Sequence, residues 1–306
     1  MKVRFTRTDL LVFCVLVIWA ATFSVLKYAL REIGPLALAA LRFLVTTALL
    51  LIWVWVAEGK PIIKRGDWIW IVLLGLTAIG VYQIFFILGL HYTTASNSSL
   101  LIGTAPIWTA IIAIASREER ITSLQVMGVV LAFGGVALVV SGGGGSLSLT
   151  WESLRGDILT IIAAILTASG AVISKRPLQR YSSLRVMSIS MVCGSLFLVP
   201  FAWSELAAEE WAQVSVGAWL AVAYSIILGG VFAYVVWYKS ISEIGATRTM
   251  VYNTLIPPVA ILIAVATLGE RFTPLQALGA VVILSGVALA RFAPLKVPQK
   301  ERWPGA

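Results

Sequence analysis

The sequence predicts an all-α integral membrane protein with ten transmembrane helices, arranged as two inverted five-helix repeats around a central cavity. Three observations carry this reading. The 306 residues are 59% hydrophobic and 12% charged, with a mean hydropathy of +0.95. Soluble domains carry about 25% charged residues, and only a bilayer absorbs so much apolar surface. The stretch 95–138 recurs in altered form at 246–289: a shift of 151 positions puts Pro106 on Pro257, Glu119-Arg120 on Glu270-Arg271, Thr122 on Thr273, Gln125 on Gln276, Gly128 on Gly279 and Gly135 on Gly286. An internal repeat constrains architecture before any local motif does. Finally, Lys and Arg divide unequally between alternate loops.

The segments follow in order. The first, 10–30, is long for the apolar part of a signal peptide and is followed by no small-residue cleavage pattern, so it is expected to be retained. Segment 36–57 carries Arg42, and 68–90 and 95–116 form a close pair. Segment 123–140 ends the first half. Gly142 to Gly145, with Ser146 and Ser148, reads as a flexible linker. The second half begins with 158–174, short and rich in Thr and Ser, and continues with 184–202, 216–241, 247–268 and 275–292. Most approach the ~20 residues that span a ~30 Å hydrocarbon core. A helix is the form that satisfies its own backbone polar groups there.

With the N-terminus in the cytoplasm, 18 of the 23 Lys and Arg fall on cytoplasmic ends and loops. Four, namely Lys27, Arg31, Arg155 and Arg271, fall outside, and Arg42 lies within a span. That bias sets orientation and accounts for the net charge of +9 without a nucleic-acid partner. Both termini are then cytoplasmic, with 294–306 as a polar tail. Five spans per half make equivalent helices cross in opposite directions. Asp9 and Lys27 bracket the first span as Asp157 and Lys175 bracket the sixth. The halves, 1–140 and 157–293, flank a linker at 141–156. Inverted repeats of this kind imply alternating access to a site near the midplane.

The residues that carry a family likeness are Leu41-Arg42-Phe43, Ala95, Pro106 and Glu119-Arg120-Ile121-Thr122 with Gln125 and Gly128. Their second-half counterparts are Ala246, Pro257-Pro258, Gly269-Glu270-Arg271-Phe272-Thr273, Gln276 and Gly279. These twin halves resemble the EamA-type repeat of the drug/metabolite transporter superfamily. One departure is Arg117-Glu118, where the second half has Leu268-Gly269. The resemblance implies a secondary transporter of the bacterial inner membrane, most similar to exporters of neutral and aromatic amino acids. Its implied partners are a small amino-acid-like substrate and the lipid bilayer, with the protein a monomer or weak dimer. Export of drugs, nucleosides or nucleotide sugars is the alternative, and a membrane receptor or membrane enzyme the reading from a different class.

Candidate site residues follow from depth in the spans. Pro106, Pro257 and Pro258 lie near mid-span and lack an N–H, so carbonyls four residues earlier lose their helical partners. Such carbonyls are tolerated where protein or a wet cavity surrounds them; a packing kink is the plainer explanation. Trp53, Trp55, Trp68, Trp70, Trp203, Trp211 and Trp219 lie near span ends, as interfacial belts do. Deeper lie Trp19, Tyr82, Trp108, Tyr234, Trp237, Tyr238 and Tyr252. A buried Tyr hydroxyl needs a partner. Tyr82-Gln83 and Tyr252-Asn253 each pair an aromatic face with an amide, suiting a ligand with an apolar body and a zwitterionic head. Asn97 and Ser99, near a span end, are gate or ligand candidates, though small polar residues also let helices approach closely. Arg42 is an intramembrane charge, either functional or a structural lock. Glu119 and Glu270 are expected to brace helices or gate one side.

The remaining motifs exclude rather than assign. The glycine run lacks the lysine of a phosphate-binding loop, so ATP drive is not supported. Cys14 and Cys193 have no CxxC partner or nearby His. The single histidine, His91, shows no carboxylate neighbour in sequence. No HExxH or similar spacing occurs, so neither a catalytic residue nor a metal or cofactor is expected.

Overall fold

The computed structural model describes residues 7–115, 123–142, 150–244 and 255–292. Every regular element among them is helical. The order is α1 (Arg7–Ala29), α2 (Pro35–Glu58), α3 (Trp68–Gly75), α4 (Tyr82–Tyr92), α5 (Ala95–Ile102), α6 (Ala105–Ala115), α7 (Ser123–Gly142), α8 (Trp151–Leu178), α9 (Ser183–Ala208), α10 (Val216–Ile226), α11 (Ala233–Ile244), α12 (Ile256–Leu268) and α13 (Pro274–Phe292). Six stretches are long and apolar enough to cross a membrane: Leu10–Ala29, Pro35–Glu58, Arg65–Tyr92, Trp151–Leu178, Ser183–Ala208 and Val216–Trp237. Val126–Gly142, Ile256–Leu268 and Pro274–Leu289 are shorter apolar helices. Large apolar side chains face outward, with Val56 74% and Leu262 70% exposed. A surface of that kind belongs in lipid.

Three expectations about continuity change. The segment at 95–116 is not one helix: it breaks at Gly103-Thr104 between α5 and α6. Pro106 cannot donate to the carbonyl of Ile102; the chain turns there instead, with Thr104 donating from both its amide and its hydroxyl to the carbonyl of Leu101. The segments at 68–90 and 216–241 each contain a six-residue π-helical stretch, Leu76–Val81 and Ile227–Phe232. These two stretches lie 151 positions apart, the offset of the sequence repeat. The sixth segment is longer than expected: α8 starts at Trp151, capped by the Thr150 hydroxyl, and runs to Leu178. Asp157, expected just outside the span, is inside α8 and 1% exposed.

Packing depends on close backbone approach. Helices α7 and α13 run antiparallel along most of their length. A Cβ on Gly135 would meet the amide nitrogen of Ile283 at 2.7 Å and the carbonyl of Gly279 at 2.8 Å. Reciprocally, a Cβ on Gly279 would meet the carbonyl of Gly135 at 2.8 Å. At the far end of the pair, Gly286 stands equally close to the carbonyl of Gly128, at 2.6 Å. The pair Gly128 with Gly286 maps onto Gly279 with Gly135 under the 151-residue shift. Without a hydrophobic drive between helices in lipid, such small-residue contacts hold them together.

Gly135→Ala is therefore expected to destabilise by about 1–3 kcal/mol, the usual range for overpacking. Gly134→Ala, at a position with nothing within 4 Å, is expected to be neutral. Thermal unfolding of the two variants in detergent checks this; equal melting temperatures would show that the helices yield at no cost.

Candidate functional site

One end of the bundle is open. A cavity of about 420 Å³ enters there, within the roughly 300–1,000 Å³ typical of small-molecule sites. Its mouth carries Glu58 at the end of α2, Tyr181 and Ser182 between α8 and α9, and Lys239 on α11. Leu50, Met187 and Val235 form apolar walls, and Tyr234 lines it further in. Tyr234 precedes Lys239 by five residues on α11, about 7.5 Å along the helix at 1.5 Å per residue. The rim is braced by polar contacts. Glu58 accepts from the Ser182 hydroxyl at 2.7 Å and pairs with Arg185 at 3.3 Å. Asp67 accepts from Arg180 at 2.6 Å and from the Tyr181 hydroxyl at 2.7 Å.

An aromatic cluster stands around Tyr234. The Trp19 ring lies 5.7 Å from Tyr234, edge to face, and 5.0 Å from Trp237. The Trp19 indole N–H donates to the carbonyl of Gly229 at 3.0 Å. That carbonyl lies in the second π stretch, and the bond orients the indole. On the facing elements, Tyr82 stacks on Phe86 with centroids 5.5 Å apart, and its hydroxyl lies beside Thr167 of α8. Arg42 of α2 donates from Nε to the Ser225 hydroxyl at 2.9 Å. Tyr82 and Tyr234 are both within electrostatic reach of its guanidinium.

The other end is closed by charged groups on helix termini. Glu205 accepts from the amides of Leu36 and Ala37 at 2.7 and 3.0 Å, and Glu209 from that of Gly34 at 2.9 Å. Glu270 accepts from the amides of Ala95 and Ser96 and from the Ser96 hydroxyl, at 2.7, 3.0 and 2.6 Å. Glu32 accepts from the amide and hydroxyl of Ser215, which hold its carboxyl below the usual range. Lys27 donates to the carbonyls of Leu90, His91 and Thr93 at 2.7, 2.8 and 2.5 Å. Carboxylates thus meet the unpaired N–H groups of helix starts and an ammonium meets the unpaired carbonyls of a helix end, the favourable sense of the helix dipole. Behind these, Asp157 accepts from Thr93 at 2.6 Å, and Asn97 accepts from Gln276 at 2.7 Å.

Trp19, Tyr234 and Trp237 are brought together, with Arg42 and Tyr82 within electrostatic range of Tyr234. Gln83, next to Tyr82, is buried with Nε2 unpaired. Asn97 and Ser99 are buried and engaged elsewhere, Asn97 in the closed end and Ser99 on the carbonyl of Ser96. Trp108 stands apart: it donates to Thr104, meets Phe133 edge-on at 5.1 Å, and lines a small apolar pocket with Ala132 and Val136. Pro257 is buried, its ring 2.7 Å from where a Gly103 Cβ would stand, so this proline turn packs on the α5–α6 break. Pro258 follows it, half-buried. Glu270 caps α5. Tyr252, Asn253 and Glu119 lie outside the described residues, as do the side chains of Tyr238 and Pro106. Sequence reasoning missed Glu205, Glu209 and Glu32 as caps, and placed Lys27 only as a charge bracketing the first span. The available signal was acids at span ends facing a Gly34-Pro35 helix start.

A helical bundle in lipid with one open cavity and one capped end is the form of a carrier, and the family model named EamA-like transporter family matches residues 6–141 and again 154–292. The chain belongs to this family. It is a multi-pass membrane transporter, and its members are transporters and efflux pumps rather than enzymes. An "Uncharacterized transporter" of Archaeoglobus fulgidus is 32% identical over 93% of this chain and 97% of its own. A "Probable terminal-alkyne amino-acid exporter" of Streptantibioticus cattleyicolor is 28% identical over 89% of each. A "Probable amino-acid metabolite efflux pump" of Escherichia coli is 25% identical over 94% of this chain and 95% of its own. A solved crystal structure shares the fold with a TM-score of 0.65 at 17% identity, over 92% of this chain and 96% of that one.

Glu205→Ala and Glu270→Ala are each expected to lower stability by roughly 0.5–2 kcal/mol, the range for lost helix N-caps. The readout is a lower melting temperature in detergent. Unchanged melting for both would mean that water replaces these carboxylates without loss.

Proposed function

We propose that the protein exports small zwitterionic metabolites, with neutral and aromatic amino acids as the substrate class. It does so by alternating access between two inverted five-helix halves, 1–140 and 157–293, across the bacterial inner membrane. The observation that carries the reading is the cavity that opens at one end and meets the Trp19–Tyr234–Trp237 cluster within, while carboxylate caps close the other end. The excess of Lys and Arg supports a cytoplasmic location for the open end, with the cavity loading from inside. The ring cluster supplies the apolar faces for a hydrophobic side chain; Glu58 and Lys239 give the mouth both signs of charge. Two relatives bear names that refer to amino-acid export or efflux. The reciprocal glycine contacts of α7 with α13, and the matched π stretches, support the inverted arrangement.

The test is flux of radiolabelled phenylalanine in proteoliposomes, competed with other amino acids, drugs and nucleosides. Flux above that of protein-free vesicles is expected, with competition from amino acids. Trp237→Ala and Tyr82→Ala should lower it roughly two- to ten-fold, as loss of a 0.5–1.5 kcal/mol ring contact implies, while the protein stays folded. Phenylalanine flux no greater than in empty vesicles would overturn the substrate assignment.

A further inference from the structure

We infer that Arg42 is the anion site of this transporter, where the substrate's carboxylate docks after entering past Tyr234; this deepens the amino-acid reading above and rests on it. Arg42 is 7% exposed. Among the described residues its Nε has one partner, Ser225, and its buried Nη1 has none. Among the described residues no acid pairs with it. A guanidinium carries five N–H donors, and a buried charge left unpaired is strongly unfavourable.

A purely structural role predicts something else, and the same molecule shows what that looks like. Lys27, also a cation on an apolar helix, is wrapped by three carbonyls at 2.5–2.8 Å. Arg42 lacks such a shell. Besides Ser225, the groups near it are the Phe43 ring, 5.6 Å from the guanidinium carbon, and the phenols of Tyr82 and Tyr234. Tyr234 is also a wall of the cavity, so the unpaired donor lies next to the route a ligand takes. One more buried group without a partner accompanies Tyr82: Nε2 of Gln83, the next residue. Two buried N–H donors, Nη1 of Arg42 and Nε2 of Gln83, thus meet no acceptor among the described residues. An anionic acceptor is the ligand chemistry that satisfies them, and a carboxylate matches the planar guanidinium. Trp19 and Trp237, packed on or near Tyr234, then receive the apolar part of the same molecule.

Binding is compared within matched pairs: phenylalanine against phenylalaninamide, and 3-phenylpropanoate against 3-phenylpropanamide. Ligand-induced thermal shift of the full-length purified protein gives the affinities. In the wild type, the carboxylate of each pair is expected to bind at least ten-fold more tightly than its amide. Arg42→Gln should bring both members within about two-fold, and Arg42→Lys should restore part of the preference. Amides bound as well as carboxylates by the wild type would overturn the inference without any variant, so it stands or falls even where Arg42→Gln does not fold. A folded Arg42→Gln that keeps the preference would also overturn it. The second pair has no ammonium group and separates the two conclusions. Absence of phenylalanine binding with 3-phenylpropanoate still bound through Arg42 removes the amino-acid reading alone; absence of both carboxylates removes Arg42 as well.

Discussion

Everything in this structure depends on one constraint: inside a bilayer, a polar group that the protein leaves unpaired has no water to turn to. The helix ends feel it first. Each start presents N–H groups and each end carbonyls without intrahelical partners. At the closed end these are met by charged side chains reaching across from other elements: Glu205 and Glu209 onto the start of α2, Glu270 onto α5, Glu32 onto the start of α10, Lys27 onto the end of α4. The four carboxylates join the first half of the chain to the second. Glu205 also explains Gly34, since a Cβ there would stand 2.6 Å from the carboxylate oxygen.

The same constraint shapes the middle of the bundle. Helices α7 and α13 gain their contact through glycine, because lipid offers no drive for burying larger apolar groups. Where a helix is interrupted, the displaced hydrogen-bonding groups are taken up locally. The Gly229 carbonyl in one π stretch receives the Trp19 indole, and the turn at Gly103-Thr104 ties its hydroxyl and amide back to Leu101. The Trp19 bond has a functional consequence, because it fixes a ring that packs on the cavity-lining Tyr234. Irregular backbone and aromatic site therefore meet at one residue, since the carbonyl that positions the ring belongs to the π stretch.

Much of this was legible in the sequence, and what was not has identifiable causes. Apolar length gave the helices, because in lipid it is nearly the whole determinant. The repeat at 151 residues paired Gly128 with Gly279 and Gly135 with Gly286 as equivalents, but did not give the contacts of Gly135 with Gly279 and of Gly128 with Gly286, which depend on how the helices pack. Pro106 marked the neighbourhood of a break, but the turn falls at Gly103-Thr104. The π stretches left no periodicity signal, since their residues are as apolar as those around them; Gly75, Gly80 and the Gly229-Gly230 pair were the available hint. Of the deep aromatics, Trp19, Tyr234 and Trp237 converge, whereas Trp108 faces Phe133 on α7. Depth alone could not separate them, because the face a ring presents depends on which helix packs beside it. Glu205 and Glu209 were invisible for a related reason: a cap on another helix is a long-range contact, with 169 residues between Leu36 and its acceptor.

The two kinds of contact also differ in what opening them would cost, and that difference locates the moving parts of the proposed exchange. The caps are bonds from main-chain N–H groups to carboxylates. If the closed end opens, water takes both roles, and each exchange costs only about 1.5–3 kcal/mol for a bond to a charged group. Water gives no such return at the α7–α13 crossing, where the contact is backbone against backbone in lipid. Its loss would leave voids and forfeited dispersion with nothing to compensate. A thin layer of hydratable bonds over a dry spine is thus a structure that parts at the caps and not at the spine. In the proposed exchange, helices α7 and α13 would then be the fixed frame, and the helix starts held by Glu205, Glu209, Glu32 and Glu270 the elements that rock against it.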